Sequence, residues 1–481
     1  MRQLTATDAA FLNLEQPRTP MHLTSLLVFD CSDAPGGPAS FERIRSTIEE
    51  RGALVASYRQ RLAKVPFDLD YPWWYDGGSF DSGHHIRRAT LPKPGDWRRL
   101  CDLTEELAAK ALDLTRPLWE VTVVDGLDHV EGVAPGSFAL VLKTHHAAID
   151  GISGMELLAT LLTAEPEHHP PEHHPPELPQ PGSTDGEQRP TPGRLARLAL
   201  RSATRHQARL ATTLAAGLAD VPGLAREVLP ELVRGEGRQL RAPSTRFGGK
   251  VTAERAFDGI VIEFDDVSAI RRLIDGATVN DVILSVVGGA LRRYLIAHDE
   301  LPDASLLCAV PVSLRSDGDT TPGNQVSAMP VSLHTDVTHA AARVEAIHIS
   351  ALAAKRVSDA VTTSRFAVVA DHVPAAVAMA GTRLVARLGL SQQARHLFNT
   401  TVTNVPGPRA PSYTCGSRLI AHYGLGPVVD GSGLFHSVMG VERRLFLSVT
   451  ACRAMLPDPA FYRTCLAESL AEHIAAQRNG V

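Results

Sequence analysis

Between Ser137 and Lys143 the chain is almost continuously apolar, with Phe138, Leu140, Val141 and Leu142 in a run of strand length, which predicts a buried strand. Shortly after it, Met155, Leu157, Leu158, Leu161 and Leu162 recur at helical spacing, which predicts a helix over 155–163. The same reading places strands at Leu23–Phe29, His84–Leu91 and Leu118–Val124 and a helix at Phe41–Arg51. Further on, Glu254–Phe264 alternates as a strand, and Val267–Ile274 and Thr278–Leu295 read as helices, the second capped by Thr278 or Asn280. Leu306–Leu314 and a segment running from Gly323 towards Leu333 read as two more strands. The apolar stretch Phe366–Leu390 is broken by Asp371, His372, Pro374, Arg383 and Arg387, so it cannot cross a bilayer; it fits core packing, an acyl-tunnel mouth or a membrane-facing patch.

The pattern fails between these two sets of elements. Pro-Glu-His-His-Pro occurs twice in tandem at 166–170 and 171–175, followed by Pro, Gln, Ser and Gly, a composition that builds no core and reads as an extended spacer. Beyond it, Arg194, Arg197, Arg201, Arg205 and Arg209 step along one helical face while Ala196, Leu200, Ala203, Leu210 and Leu214 lie towards the other. That pattern suits either an anionic lipid surface or the solvated face of a bridging helix. The expected organisation is an N-terminal domain at 1–164, a connector at 165–249 and a C-terminal domain at 250–481, as a chain of 481 residues is long for one core.

Charge and cysteine usage narrow the function. A net charge of -5 with 21% charged residues argues against nucleic acid as a partner. The six cysteines show no Cys-x-x-Cys spacing, which suggests neither a zinc ribbon nor a disulfide framework and fits a reducing, cytoplasmic compartment. The first residues lack a continuous apolar region, so no signal peptide is expected and membrane contact should be peripheral.

Candidate chemistry concentrates where the strand 137–143 gives way to the helix. Lys143-Thr-His-His-Ala-Ala-Ile-Asp-Gly-Ile-Ser-Gly154 puts two histidines at a strand end, with Gly151 and Gly154 to relax the backbone. A neutral histidine can take a proton from a bound alcohol, and His146 is the candidate base. Asp150 is placed to close the turn, by bonding back to the histidine ring or backbone or by pairing with a distant arginine. No third ligand at zinc spacing accompanies the pair, and the sequence suggests no metal or redox cofactor.

His145-His146-Ala147-Ala148-Ile149-Asp150-Gly151 resembles the active-site motif of the actinobacterial wax ester synthase/acyl-CoA:diacylglycerol acyltransferases, a motif shared across chloramphenicol acetyltransferase-like enzymes. Narrower similarities stand at Asp8-Ala-Ala-Phe-Leu, Met21-His22-Leu, Pro117-Leu118-Trp119, Asn280-Asp281-Val282 and Asn404-Val-Pro-Gly-Pro408. The resemblance implies an α/β fold of two chloramphenicol acetyltransferase-like domains, each a mixed sheet flanked by helices, facing one another across a central channel. It implies a long-chain acyl transfer from acyl-CoA to a diacylglycerol or a long-chain alcohol, and the arginine-lined helix suits a peripheral membrane or lipid-droplet surface. His146 would be the base, His145, Asp150 and Gly151 would shape the motif, and Asn280, Asp281, Trp119 and Asn404 would be oxyanion or substrate candidates. For Asn280 a helix-capping role is the competing reading, and for Trp119 it is packing. His84-His85 lacks the following Asp-Gly and reads as structural.

The sequence departs from the family pattern after Gly433, where Leu434-Phe435-His436 and Ser437-Val438-Met439-Gly440 replace the usual Leu-Asn and Ser-Tyr-x-Gly. A polar contact in that corner is expected to be missing or replaced. Two other functional classes fit less of the pattern: an acyltransferase or condensing enzyme fed by a carrier protein, and a catalytically weak lipid-binding protein.

Overall fold

A computed structural model describes residues 1–148, 158–166, 189–202, 241–313, 326–363 and 397–479. Asp150, Gly151, Arg205, Arg209 and the segment Phe366–Leu390 lie outside these residues.

The strands, numbered along the chain, form three sheets. A small one joins β1 (Arg2–Gln3), β4 (Trp73–Asp76) and β3 (Gln60–Ala63) in that order. The N-terminal six-stranded sheet runs β12-β13-β2-β7-β6-β5, with β2 at His22–Asp30, β5 at Ile86–Thr90, β6 at Trp119–Asp125 and β7 at Phe138–His145. Its first two strands, β12 (Tyr413–Thr414) and β13 (Ser417–Leu425), come from the far end of the chain. The second six-stranded sheet runs β10-β9-β11-β14-β15-β8. It comprises β8 (Arg255–Glu263), β9 (Leu307–Ser313), β10 (Val326–Ser332), β11 (Thr400–Val405), β14 (Leu434–Val441) and β15 (Arg444–Cys452).

Each large sheet is mixed. In the N-terminal sheet β5 runs parallel to β6 while β6, β7, β2 and β13 pair antiparallel. In the other sheet β11 is parallel to both β9 and β14. All eight residues of β7 are buried, which explains why its apolar character is continuous and not alternating. The helix Val279–Ala297 packs against the second sheet through a run from Asp281 to Leu291 that is buried at every position. A helix apolar all round belongs in such a core.

The predicted strands and helices in the described residues match except at boundaries: the strand expected at His84–Leu91 begins at Ile86, because His84 and His85 close the short helix Ser82–His85 that Asp81 caps. Asn404-Val-Pro-Gly-Pro-Arg409 reads as a turn by its Pro and Gly content, but Asn404 and Val405 end a strand, paired with Val438 and Met439, and Pro406 follows it. The preceding Thr400-Thr401-Val402-Thr403 run is rich in β-branched residues, which favours extending the strand to that point.

Charged side chains join the two halves. Trp97 in the helix Trp97–Ala109 donates its indole N–H to Asp258 of β8 at 2.8 Å. In the same helix Glu105 accepts from Arg98 at 2.6 Å, from the Phe257 backbone N–H at 2.9 Å and from Arg453. Burial in this seam raises the carboxyl of Asp258 above its ordinary range, against the pull of the Trp97 hydrogen bond and the nearby Arg463 and Arg98. A second tie runs from Arg18 to Asp430, bonded through both guanidinium nitrogens.

Candidate active site

The histidine pair lies where β7 ends. His145 is the last strand residue, fully buried, and its backbone N–H donates to the carbonyl of Leu118, the residue before β6, at 3.0 Å. His146 opens a one-turn 3₁₀ helix, and its backbone N–H donates to the carbonyl of Met21 at 2.8 Å. The turn is therefore bonded on both flanks, to the segment entering β6 on one side and to the segment entering β2 on the other.

The two rings do different work. His145 Nδ1 accepts the backbone N–H of Ala147 at 3.0 Å, so it must be unprotonated and the proton sits on Nε2. That Nε2–H faces Glu15 Oε2 at 3.6 Å, while Glu15 Oε1 accepts the Met21 N–H at 3.3 Å. Glu15 thus touches both the ring that shapes the turn and the residue whose carbonyl holds His146. The His146 ring stacks on Phe11 with centroids 3.7 Å apart and planes 14° from parallel. Phe11 belongs to the helix Ala6–Leu14, which is closed at its N-terminus by a Thr5–Asp8 capping box.

Burial pushes His146 down to about 4, with the neighbouring His145 adding to the effect and a backbone hydrogen bond opposing it. At neutral pH the ring is uncharged and keeps a basic lone pair, the state a general base requires. Neither Phe11 nor Glu15 was singled out by sequence reasoning. Their signal was their place in the N-terminal stretch from Leu4 to Asp30 that carries the family resemblance, but a contact spanning some 130 residues leaves no local pattern.

The remaining candidates occupy distinct places. Trp119 is 1% exposed beside β7, donates its indole N–H to the Tyr58 carbonyl at 3.0 Å and stacks on His85 with centroids 4.5 Å apart. His85 in turn contacts the Trp119 carbonyl through Nδ1 at 2.7 Å, so the second His-His pair is part of the packing around that tryptophan. Asp281 is buried and its Oδ2 accepts both the N–H and the hydroxyl of Thr278, at 2.8 and 2.9 Å, completing a capping box. The same oxygen meets His348 Nδ1 at 2.9 Å. Thr278, not Asn280, is the N-cap; Asn280 is half-buried in the first turn of the helix, and Asn404 is exposed at the end of β11.

The corner that departs from the family pattern is filled. His436, fully buried in β14, bridges Thr400 Oγ1 at 2.9 Å and the Tyr462 hydroxyl at 2.8 Å. Burial holds it neutral, pushed down to about 3.

With this geometry in view, the comparisons are specific. The model of the wax ester synthase/diacylglycerol acyltransferase catalytic domain matches residues 4–283, and that of the family's C-terminal domain matches residues 322–473. A putative diacylglycerol O-acyltransferase of Mycobacterium tuberculosis is 32% identical over 488 residues, covering 98% of each chain. Another from that organism is 30% identical over 463 residues, covering 95% of this chain and 87% of its own. Among solved structures, the wax ester synthase/diacylglycerol acyltransferase from Marinobacter aquaeolei VT8 superposes with a TM-score of 0.69 at 27% identity, covering 99% of this chain and all 100% of that one. The first condensation domain of the calcium-dependent antibiotic synthetase shares the fold alone, with a TM-score of 0.57 at 16% identity over 99% of this chain and 96% of its own. Matched along nearly its whole length by both family domains and by these relatives, the chain belongs to the wax ester synthase/diacylglycerol acyltransferase family.

Proposed function

We propose that this acyltransferase moves a long-chain acyl group from acyl-CoA to a diacylglycerol, a long-chain alcohol or both, with His146 as the general base. The observation that carries the proposal is the state of that ring: uncharged at neutral pH, stacked on Phe11 and anchored at its backbone by Met21. His146 accepts the proton of the acceptor hydroxyl as the oxygen attacks the thioester carbonyl. The tetrahedral intermediate then collapses, the C–S bond breaks, and the proton passes from His146 to the departing thiolate of coenzyme A. His145 and Glu15 hold the turn. General-base assistance of this kind is worth about 10²- to 10⁴-fold, and the rest of the acceleration comes from positioning.

Work at a lipid surface, by peripheral association, is part of the proposal. No helix among the described residues is long and apolar enough to cross a membrane. In the helical stretch 192–202, Arg194, Arg197 and Arg201 are exposed and Leu200 is 69% exposed, while Leu195 and Ala199 are buried. Leu195 packs beside Ala63 and Tyr75, so the buried face of this helix is one residue round from the Ala196/Leu200 face expected from the sequence. The exposed arginines suit anionic headgroups, and flotation with anionic but not neutral vesicles is the expected result.

The test of the activity is release of free thiol from palmitoyl-CoA by the purified protein, offered a diacylglycerol and a long-chain alcohol in parallel, beside His146→Ala. Acceptor-dependent release that disappears in the variant is expected. Full release by a well-folded His146→Ala protein overturns the role of the base, and release only from a carrier-bound acyl donor overturns coenzyme A as the donor.

A further inference from the structure

A narrow cavity with room for about one water lies between the two large sheets, lined by His22 and Thr24 of β2, Ala108, Arg255 of β8 and Thr450 of β15 among others. Among the described residues, three buried polar atoms of the residues that line it have no hydrogen-bond partner: His22 Nδ1, Thr24 Oγ1 and Thr450 Oγ1. The residues that carry them are 4%, 2% and 2% exposed. Buried polar atoms are almost always paired, so three orphans around one cavity specify an absent partner.

The chemistry of that partner follows from the walls. His22 Nε2 lies 2.9 Å from the carbonyl of Ala108, which can only accept, so Nε2 carries the proton and Nδ1 is a bare lone pair. Burial, with Lys143, His145 and Arg255 nearby, pushes His22 down to about 3 and keeps it uncharged. A bare lone pair repels an anion. The guanidinium of Arg255 repels a cation; its Nη1 donates to the carbonyl of Thr252 at 2.8 Å and its Nη2 to that of Arg18 at 2.6 Å. What remains is a neutral group that donates to His22 and exchanges hydrogen bonds with two hydroxyls.

We propose that this cavity is a binding site for one uncharged O–H group, which donates to His22 Nδ1 and accepts from the hydroxyls of Thr24 of one sheet and Thr450 of the other. His22 is the register partner of His145 across β2 and β7, so the site adjoins the strand that presents the histidine pair. Solvent water supplies such a group. So does a hydroxyl on the arm of coenzyme A lying in the seam, a source that rests on the acyl-transfer function proposed above.

A high-resolution crystal structure without substrate, together with the ¹⁵N shift of His22 Nδ1, tests the site independently of activity. Density within hydrogen-bonding distance of His22 Nδ1 and both threonine hydroxyls, and a shift characteristic of a hydrogen-bonded nitrogen, are expected; an empty cavity with a bare Nδ1 overturns the proposal. A second structure with coenzyme A distinguishes the sources. Water retained there, with the KM for acyl-CoA unchanged in Thr450→Val, assigns the site to solvent. Water displaced by the cofactor arm, with KM raised severalfold and kcat kept, assigns it to substrate. Thr24→Val supplies the same reading from the opposite wall if Thr450→Val fails to fold. Density without any thiol release by the native protein leaves this site standing and refutes the acyl-transfer function instead.

Discussion

The stacking of Phe11 on His146 makes a quantitative prediction about pH. The ring is held down to about 4 chiefly because burial penalises its charged form. Phe11→Ala opens one face of the imidazole to water, and full relief would return it to the ordinary value of about 6.5. That difference corresponds to about 3 kcal/mol between the two protonation states. The base must be neutral to act, so activity falls as pH drops through the folded-state value, and raising that value moves the acid limb upward. At pH 6 a histidine at about 4 is about 99% neutral, whereas one at about 6.5 is about 24% neutral. The assay is kcat/KM for acyl-CoA from thiol release, which reports the free enzyme, measured from pH 6 to 8 with tryptophan fluorescence recorded at each point to confirm folding. The ratio of the values at pH 6 and pH 8 cancels any loss from disturbed packing. In Phe11→Ala this ratio should be about fourfold below that of the native protein at full relief. A variant with lowered activity and an unchanged ratio would refute the argument that Phe11 sets the basicity of His146.

Other perturbations follow from the same geometry. Glu15→Gln presents an amide N–H₂ to the protonated Nε2 of His145 or loses the Met21 contact, and kcat should fall by about 10- to 100-fold with KM for acyl-CoA little changed, read by steady-state kinetics. Tyr462→Phe leaves His436 Nε2 unpaired in the core and should cost about 1–3 kcal/mol in urea unfolding. Glu105→Ala strips its partner from Arg98 and the Phe257 N–H at once; because Arg98 is 35% exposed, the loss should be only about 2–3 kcal/mol by the same measurement. Five histidines, His22, His146, His422, His436 and His473, are held between about 3 and about 4 in the folded state, so the unfolded chain binds more protons below about pH 6.5 and stability falls as pH falls. By pH 5.5 each contributes destabilisation on the order of 1 kcal/mol, together several kcal/mol and a large share of a typical domain's stability; a urea midpoint equal at pH 7.5 and 5.5 would contradict this.

What could be read from the sequence was whatever the chain writes locally. β7 is continuously apolar because both of its faces are covered, and the His-His pair follows at its end, so strand and candidate base were visible together. The capping box at Thr278 and Asp281 was half visible, since Thr278 and Asn280 are both good caps and only the geometry of the first turn separates them. Contacts between distant residues were not visible. Nothing near Glu15 announces that its carboxylate meets His145, and nothing near His436 announces that Tyr462 and Thr400 are its partners. Nor does the sequence of Ser417–Leu425 reveal which sheet receives it, because a strand pairs through its backbone and fits any open edge.

That last strand governs how the protein can be made. β13 covers the outer edge of β2, pairing from Arg418 with Asp30 to Leu425 with Thr24. On a ribosome, the N-terminal sheet therefore waits for nearly four hundred further residues while the N–H and C=O groups along β2 stand open to any other strand. The exposed edge belongs to a strand whose Leu26, Leu27, Val28 and Phe29 are all buried in the finished molecule, a combination prone to sticking to other chains during synthesis. Chaperone holding before release should consequently matter more for the yield of this protein than for one whose sheets close in sequence order, and a fragment ending at residue 400 should aggregate where the full chain does not.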